Sequence, residues 1–136
     1  MCKGSRATME DMETIEALFA AIGTVCRVEE TQMDAVTGLS GSGPAYVYLM
    51  IEALVDGAEQ QGLSREDALK LAAQTVFGAA SMVIETGRQP ADLREMVTSP
   101  NGTTLAGLNA LRDRDFCGVV EGGVAAAAAR SKELGQ

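Results

Sequence analysis

The residues best suited to chemistry form a short turn, residues 99–104, with the sequence Ser-Pro-Asn-Gly-Thr-Thr. Pro100 fixes one backbone angle of a turn, and both Asn101 and Gly102 tolerate left-handed backbone geometry. The leucine spacing that follows predicts a helix, which Thr103 is expected to cap. The first amides of a helix have no partner inside it, and the helix dipole favours negative charge beside them. The turn therefore predicts a site for a small anion, although the same residues are also compatible with a purely structural turn.

The composition limits the classes of partner. The chain has 136 residues, 46% of them hydrophobic and only 4% aromatic, which suffices for one domain, or for one domain with a fragment of another. Its net charge is −8 with no basic cluster, so nucleic acid and anionic membrane are not expected partners. The abundant alanine and glycine favour close helix–helix packing. Because the overall charge repels anions, any anion site must be local.

Metal and disulfide chemistry are not predicted. The chain has no histidine, which argues against zinc sites and against histidine acid–base catalysis. Its cysteines, Cys2, Cys26 and Cys117, are too few and too scattered for a disulfide framework or a paired metal motif. No signal peptide is recognised, and the longest uncharged stretch, residues 35–51, is interrupted by glycines and a proline. A cytoplasmic location is therefore expected.

The N-terminal segment predicts a helix followed by a strand. Thr8 with Asp11 is a typical helix start, and an apolar face follows as far as Gly23, where the helix is expected to end. Residues 24–28 then predict a short strand with no partner strand elsewhere in the chain. Since a lone strand is not stable, it must pair with another copy or belong to a sheet outside this sequence.

The chain from Thr31 onward is predicted to be all-helical. After a turn at residues 41–44, helices are expected over residues 44–61, 64–86, 90–97, 103–111 and 116–133, with Gly62 and Gly87 as stops. The first of these helices is apolar nearly all round between Ala45 and Val55, so a partner subunit is expected to cover it. In the helix over residues 64–86, the residues expected to be buried are Ala68, Leu69, Ala72, Val76, Phe77, Ala80, Val83 and Ile84.

Three segments together resemble a known family. They are residues 34–46 (Asp-Ala-Val-Thr-Gly-Leu-Ser-Gly-Ser-Gly-Pro-Ala-Tyr), residues 52–58 and residues 93–104. In order and spacing they resemble the C-terminal half of pyrroline-5-carboxylate reductase, and the resemblance covers essentially the whole chain. It implies an enzyme that reduces 1-pyrroline-5-carboxylate to L-proline with NADPH or NADH. It also implies a helical domain that interlocks with its twin into a homodimer, and dimers that can assemble into decamers.

The resemblance also implies roles for individual residues. The backbone amides of Thr103 and Thr104 would receive the substrate carboxylate, and the Thr104 hydroxyl would act as the catalytic group facing the ring nitrogen. Glu30 would reach the same pocket. The other residues that the resemblance assigns to the site are Ser99 and Gly102 for the substrate and Met96 and Val97 for the cofactor. Asn101 stands where the family usually has glycine, and the turn is expected to survive this difference.

The expected fold is an all-α, interlocking helical dimerisation domain preceded by a helix–strand remnant of a Rossmann domain. Residues 1–30 would be that remnant, and residues 31–136 the dimerisation and substrate-binding domain. No Gly-x-Gly-x-x-Gly follows a strand, so the cofactor domain is not expected within this sequence, and the chain alone is expected to be inactive. Two alternatives stay open: a catalytically silent helical dimerisation module, and a different oxidoreductase with the same two-domain plan.

Overall fold

The protein is built mainly of helices. A computed structural model describes residues 1–135. In chain order the helices are α1 (Met9–Ala20), α2 (Met33–Val36), α3 (Gly43–Gln60), α4 (Arg65–Thr86), α5 (Pro90–Met96), α6 (Thr103–Arg112) and α7 (Phe116–Leu134). A 3₁₀ turn, Glu30–Gln32, precedes α2, and a π-helical turn, Thr37–Gly41, follows it. The described residues contain no strand, which confirms the all-α class.

Local capping signals set most helix ends. Thr8 caps α1 in a reciprocal pair with Asp11, whose amide donates to the Thr8 hydroxyl at 3.1 Å while the Thr8 amide donates to the Asp11 carboxylate at 2.8 Å. The Ser64 hydroxyl caps α4 by accepting from the Asp67 amide at 3.1 Å. Gly87 ends that helix in left-handed geometry, with φ of 63°. These predicted boundaries are confirmed.

Two expectations near the N-terminus are wrong. Helix α1 ends at Ala20 rather than at Gly23, because the amides of Ile22 and Gly23 already close a tight turn onto the Phe19 carbonyl. Residues 24–28 do not form a strand. Within the described chain, the backbone of residues 24–28 bonds to one other segment, at Met1. The Met1 ammonium donates a hydrogen bond to the Cys26 carbonyl at 2.6 Å, and the Val28 amide donates one to the Met1 carbonyl at 3.0 Å. A single paired residue does not make a ladder.

One compact unit comprises Met1–Gly43 and the segment that begins at Gly122. In it, Gly38 is buried against α7, so closely that a Cβ at this position would lie 2.7 Å from the Val124 carbonyl oxygen and 3.0 Å from the Ala128 amide nitrogen. The Ser131 hydroxyl donates to the Asp34 carboxylate at 2.8 Å in the same region. The small residues therefore allow close helix packing, as expected. The turn predicted at residues 41–44 begins instead as the π-helical turn that carries Gly38.

The second compact unit is Pro44–Glu121, and its core is small. Val55 and Ala68 are only 2% and 1% exposed, and Ala72 completes the buried cluster. Ile51 and Ala58 pack against this cluster from α3. The core therefore involves one face of α3 and one face of α4.

Most of the other apolar residues expected to be buried lie on the surface of the single chain. In α4, Leu69, Phe77 and Ile84 are 53%, 66% and 81% exposed, because neighbouring helices cover only the face that carries Ala68. The chain of 14.2 kDa exposes 10480 Å² in total. A folded monomer of this mass exposes about 6,800 Å². The exposed large hydrophobic side chains therefore have no cover within residues 1–135.

Candidate substrate-binding site

The turn before α6 has the backbone geometry that its sequence predicts at Asn101. Helix α5 ends at Met96, and the Gly102 amide donates to the Ser99 carbonyl at 3.0 Å, which closes the turn. Asn101 is left-handed, with φ of 58°. Gly102 is extended instead, with φ of −79° and ψ of 168°. The left-handed geometry of Asn101 changes the direction of the chain, which then begins α6 two residues later.

Gly102, and not Thr103, caps α6, which corrects the sequence prediction. Thr103 is already the first helical residue, and no side chain bonds to the open amides of this helix. The first intrahelical bond runs from the Ala106 amide to the Gly102 carbonyl at 3.2 Å. Among residues 1–135, no acceptor meets the amides of Thr103, Thr104 or Leu105. These donors are therefore available to a ligand.

Two other helices of the chain, α1 and α4, fill the corresponding positions with their own acceptors. Helix α1 has Thr8 as its cap with Glu10 and Asp11 in the first turn, and α4 has Ser64 with Glu66 and Asp67. The first turn of α6 has no acidic residue and no side-chain cap. A carboxylate brought by a ligand would thus meet no competing carboxylate on that turn.

The glycine at position 102 is favoured by the limited space beside it and not by its backbone angles. A Cβ there would collide with the Ser99 hydroxyl and would lie 3.1 Å from the Ser99 carbonyl oxygen. The Ser99 side chain therefore lies next to Gly102, the residue that precedes α6. The predicted substrate residues Ser99, Gly102, Thr103 and Thr104 are brought together by this one turn, and Ser99, Thr103 and Thr104 are exposed.

The two residues assigned to the cofactor precede the turn. Met96 and Val97 are 63% and 66% exposed and present apolar surface at the end of α5. The Arg88 guanidinium donates to the Met96 sulfur at 3.0 Å. An open cavity of 410 Å³ is lined by Arg88, Asp92, Glu95 and Met96, and shares only Met96 with the predicted site. The sequence analysis did not identify Arg88 as a site residue. Its position directly after Gly87, which ends α4, was the available sign that it lies near a turn.

Glu30 belongs to the other compact unit, where it begins the 3₁₀ turn before α2. Its carboxylate accepts a hydrogen bond from the Cys2 thiol at 2.8 Å. That hydrogen bond, with the nearby negative charge, raises the pKa of the Cys2 thiol. The role of Glu30 in a substrate pocket stays a prediction.

Neither a cluster of metal ligands nor a membrane-spanning helix is found among the described residues. Residues 1–135 contain no cluster of three or more potential metal ligands, and their cysteines are free. None of the helices in this range combines the length and hydropathy that a bilayer crossing requires.

The helical architecture and its uncovered apolar faces define the class as an all-helical association domain. A family model described as pyrroline-5-carboxylate reductase dimerisation matches residues 30–134. The chain belongs to this family.

Individual relatives agree in sequence and in structure. A pyrroline-5-carboxylate reductase of Glycine max is 54% identical over 134 residues, covering 98% of this chain and 49% of that protein. One from Methanosarcina acetivorans is 50% identical over 133 residues, with the same two coverages. The crystal structure of Plasmodium falciparum pyrroline carboxylate reductase with NADP bound matches 99% of this chain and 54% of its own, at 36% identity and a TM-score of 0.90. The reductase of Coxiella burnetii matches 98% and 50%, at 39% identity and a TM-score of 0.93. The chain thus spans about half the length of these relatives.

Proposed function

We propose that this chain is the substrate-binding and dimerisation half of a pyrroline-5-carboxylate reductase, which reduces 1-pyrroline-5-carboxylate to L-proline with NADPH or NADH. One observation carries the proposal: the amides of Thr103, Thr104 and Leu105 are open at the start of α6, behind the left-handed Asn101, in a member of this family. In this proposal residues 1–30 are the end of a cofactor domain, and residues 31–136 form the substrate domain.

The substrate carboxylate would bind to the amides of Thr103 and Thr104. A hydrogen bond to a charged group contributes about 1.5–3 kcal/mol, so two such amides hold a carboxylate without a lysine or arginine in the turn. The Ser99 hydroxyl, which lies over Gly102, is close enough to the helix start to add a further donor. This arrangement suits a small anionic ring in a chain whose net charge is −8.

The Thr104 hydroxyl would orient the ring nitrogen and relay a proton to it, taking one up from solvent as it gives one to the nitrogen. This hydroxyl is exposed and has no hydrogen-bond partner among residues 1–135, so it is available to donate. Glu30 is proposed as a second polar group of the pocket. The nicotinamide cofactor, when bound, supplies the hydride, and Met96 and Val97 are the residues proposed to contact it. The protein itself needs only to position the imine and its proton, so a histidine is not required.

Association completes the proposal. The family model describes a dimerisation domain, and the uncovered surface of this chain supports pairing with a second copy. We propose a homodimer, with decamers as the further assembly that the resemblance implies. Part of the uncovered surface, including the exposed face of α1 at Leu18 and Phe19, is proposed to contact the cofactor domain.

The test is a pair of variants in this chain joined to the cofactor domain of a reductase relative. Thr104→Ala should lower kcat for imine reduction by about 10²-fold or more, the usual range for loss of a proton-transfer group. Thr98→Ala is the matched control, because the Thr98 hydroxyl already donates to the Arg94 carbonyl at 2.6 Å. Unchanged turnover in the Thr104→Ala enzyme would contradict the proposed role.

The silent dimerisation module is the second candidate, because the family model that matches residues 30–134 is described by dimerisation and not by catalysis. Both candidates predict no oxidation of NADPH by the 136-residue chain with the imine. They differ in ligand binding, since a substrate-binding half should bind L-proline saturably and a silent module should not. Measurable NADPH oxidation by the pure chain would contradict both.

A further inference from the structure

We propose that Arg88 is a positioning residue for the cofactor side of the site, where its guanidinium holds the Met96 side chain in place for the nicotinamide cofactor. The observation that carries the inference is the hydrogen bond from Arg88 Nη1 to Met96 Sδ, at 3.0 Å. The inference rests on the proposed function, which gives Met96 a contact with the cofactor. It adds to that function a residue that lies outside the turn before α6.

The path of the chain between α4 and α5 brings Arg88 to this position. Gly87 ends α4 in left-handed geometry, and Arg88 follows it directly. The Arg88 amide donates to the Thr86 hydroxyl at 3.3 Å, which ties the backbone of Arg88 to the end of α4. Helix α5 begins at Pro90 and, with seven residues, is about 10 Å long. The Arg88 side chain therefore reaches along α5 to its last residue, Met96.

The groups around Arg88 make its contact with sulfur informative. Asp92, Glu95 and Met96 lie three and four residues apart on one face of α5, and together with Arg88 they line the open cavity of 410 Å³. A guanidinium bonds more strongly to a carboxylate than to a neutral acceptor, and a thioether sulfur is a weak acceptor. Among residues 1–135, however, Arg88 forms no ion pair with either carboxylate. The geometry of this connection, and not the strength of the acceptor, therefore directs the guanidinium to Met96.

Met96 is the cofactor-side residue that gains most from being held. A methionine side chain has three rotatable bonds, whereas Val97 is β-branched and therefore stiff. Met96 is 63% exposed, so packing within the chain does little to fix its conformation. A side chain that is ordered only when a ligand binds lowers the affinity for that ligand. A contact with Arg88 that forms before the cofactor binds removes part of this cost.

A direct bond from Arg88 to a phosphate group of the cofactor is the competing role. A guanidinium suits phosphate well. The same cavity, however, presents the two carboxylates of Asp92 and Glu95 against the single positive charge of Arg88, which disfavours a polyanion. The two roles also make different predictions, because a bond to phosphate does not depend on the Met96 sulfur.

Nuclear magnetic resonance of the full chain, with ¹³C in the methionine methyl groups, tests the contact without any cofactor. Met96→Leu identifies the Met96 signal by removing it. Arg88→Ala should move this signal, because the donor beside the sulfur is lost. Arg94→Ala is the matched control, since it removes the same charge from α5 and should leave the signal in place. A Met96 signal that Arg88→Ala does not move would overturn the proposal.

Calorimetric titration with NADPH tests the consequence, in this chain joined to the cofactor domain of a reductase relative. Arg88→Ala should raise the Kd for NADPH about threefold to tenfold, the range expected when one flexible side chain must be ordered on binding. The KM for the imine at saturating NADPH should not change, because Arg88 does not contact the turn that holds the substrate amides. Arg94→Ala should change neither constant. An unchanged Kd in the Arg88→Ala protein would overturn the proposal.

A double substitution separates the positioning role from a direct bond to phosphate. In the Met96→Leu background the sulfur is absent, so Arg88→Ala should cause no further rise in the Kd for NADPH. The same rise in both backgrounds, weakened by added salt, would show a direct bond and overturn the positioning role. If the joined protein binds NADPH in this non-additive way but reduces no imine, the proposed function fails and the role of Arg88 stands.

Discussion

Gly38→Ala is the substitution for which the structure gives the clearest physical effect. The new Cβ would lie 2.7 Å from the Val124 carbonyl oxygen, 3.0 Å from the Ala128 nitrogen and 3.2 Å from its Cβ. Ordinary contacts begin near 3.4 Å, so α7 would have to retreat by about 0.7 Å. Two of these three atoms are backbone, which cannot rotate away. Overpacking of this kind costs roughly 1–3 kcal/mol.

Gly57→Ala is the matched control, because nothing lies within 4 Å of a Cβ at that helical position. Replacing a helical glycine by alanine stabilises by about 0.8–1 kcal/mol. For a chain of this length, 1 kcal/mol corresponds to about 3.5 °C in Tm. Gly38→Ala should therefore lower Tm by roughly 3–10 °C, and Gly57→Ala should raise it by about 3 °C.

Calorimetric or circular-dichroism melts should be compared at one chain concentration, because association makes Tm depend on concentration. A Gly38→Ala chain that melts as high as the wild type or the Gly57→Ala control would refute the close packing of Gly38 on α7. It would mean that α7 and the π-helical turn are not in close contact at Gly38.

Three further predictions concern single side chains. Asn101→Ala should weaken L-proline binding about fivefold, because alanine pays about 1 kcal/mol in left-handed geometry, while Asn101→Gly should bind at least as well as the wild type. Ser64→Ala should cost about 1 kcal/mol of unfolding free energy by denaturant titration, because the α4 cap is lost. At mildly alkaline pH, where a raised pKa leaves less thiolate, Cys2 should be alkylated more slowly in the wild-type chain than in the Glu30→Gln variant, as followed by mass spectrometry. Equal rates at Cys2 in the two chains would contradict the Cys2–Glu30 hydrogen bond.

Much of the helical framework could be predicted from the sequence because its signals are local. Thr8 and Ser64 begin α1 and α4 through amides only three residues away, and Gly62 and Gly87 follow the ends of α3 and α4 with positive φ. Asn101 likewise predicted the left-handed geometry of the turn. The roles of the site residues came instead from the family resemblance, since a proline-containing turn before a helix is not specific by itself.

The errors arose where distant segments decide the structure. The strand expected at residues 24–28 requires a partner that local sequence does not supply. Gly38 owes its burial to α7, far along the chain, and the π-helical turn around it had no local signature. Leu69 and Phe77 were expected to be buried from periodicity, which identifies apolar faces but does not say whether the same chain covers them.

The central claim is that the open amides at the start of α6 bind the carboxylate of a small cyclic amino acid. The most direct measurement is a titration of the isotope-labelled chain with L-proline, followed by proton–nitrogen correlation spectra. The amide signals of Thr103, Thr104 and Leu105 should move downfield and saturate, and pyrrolidine, the same ring without the carboxylate, should leave them in place. Movement of these signals with pyrrolidine to the same extent, or no movement with L-proline, would contradict the claim.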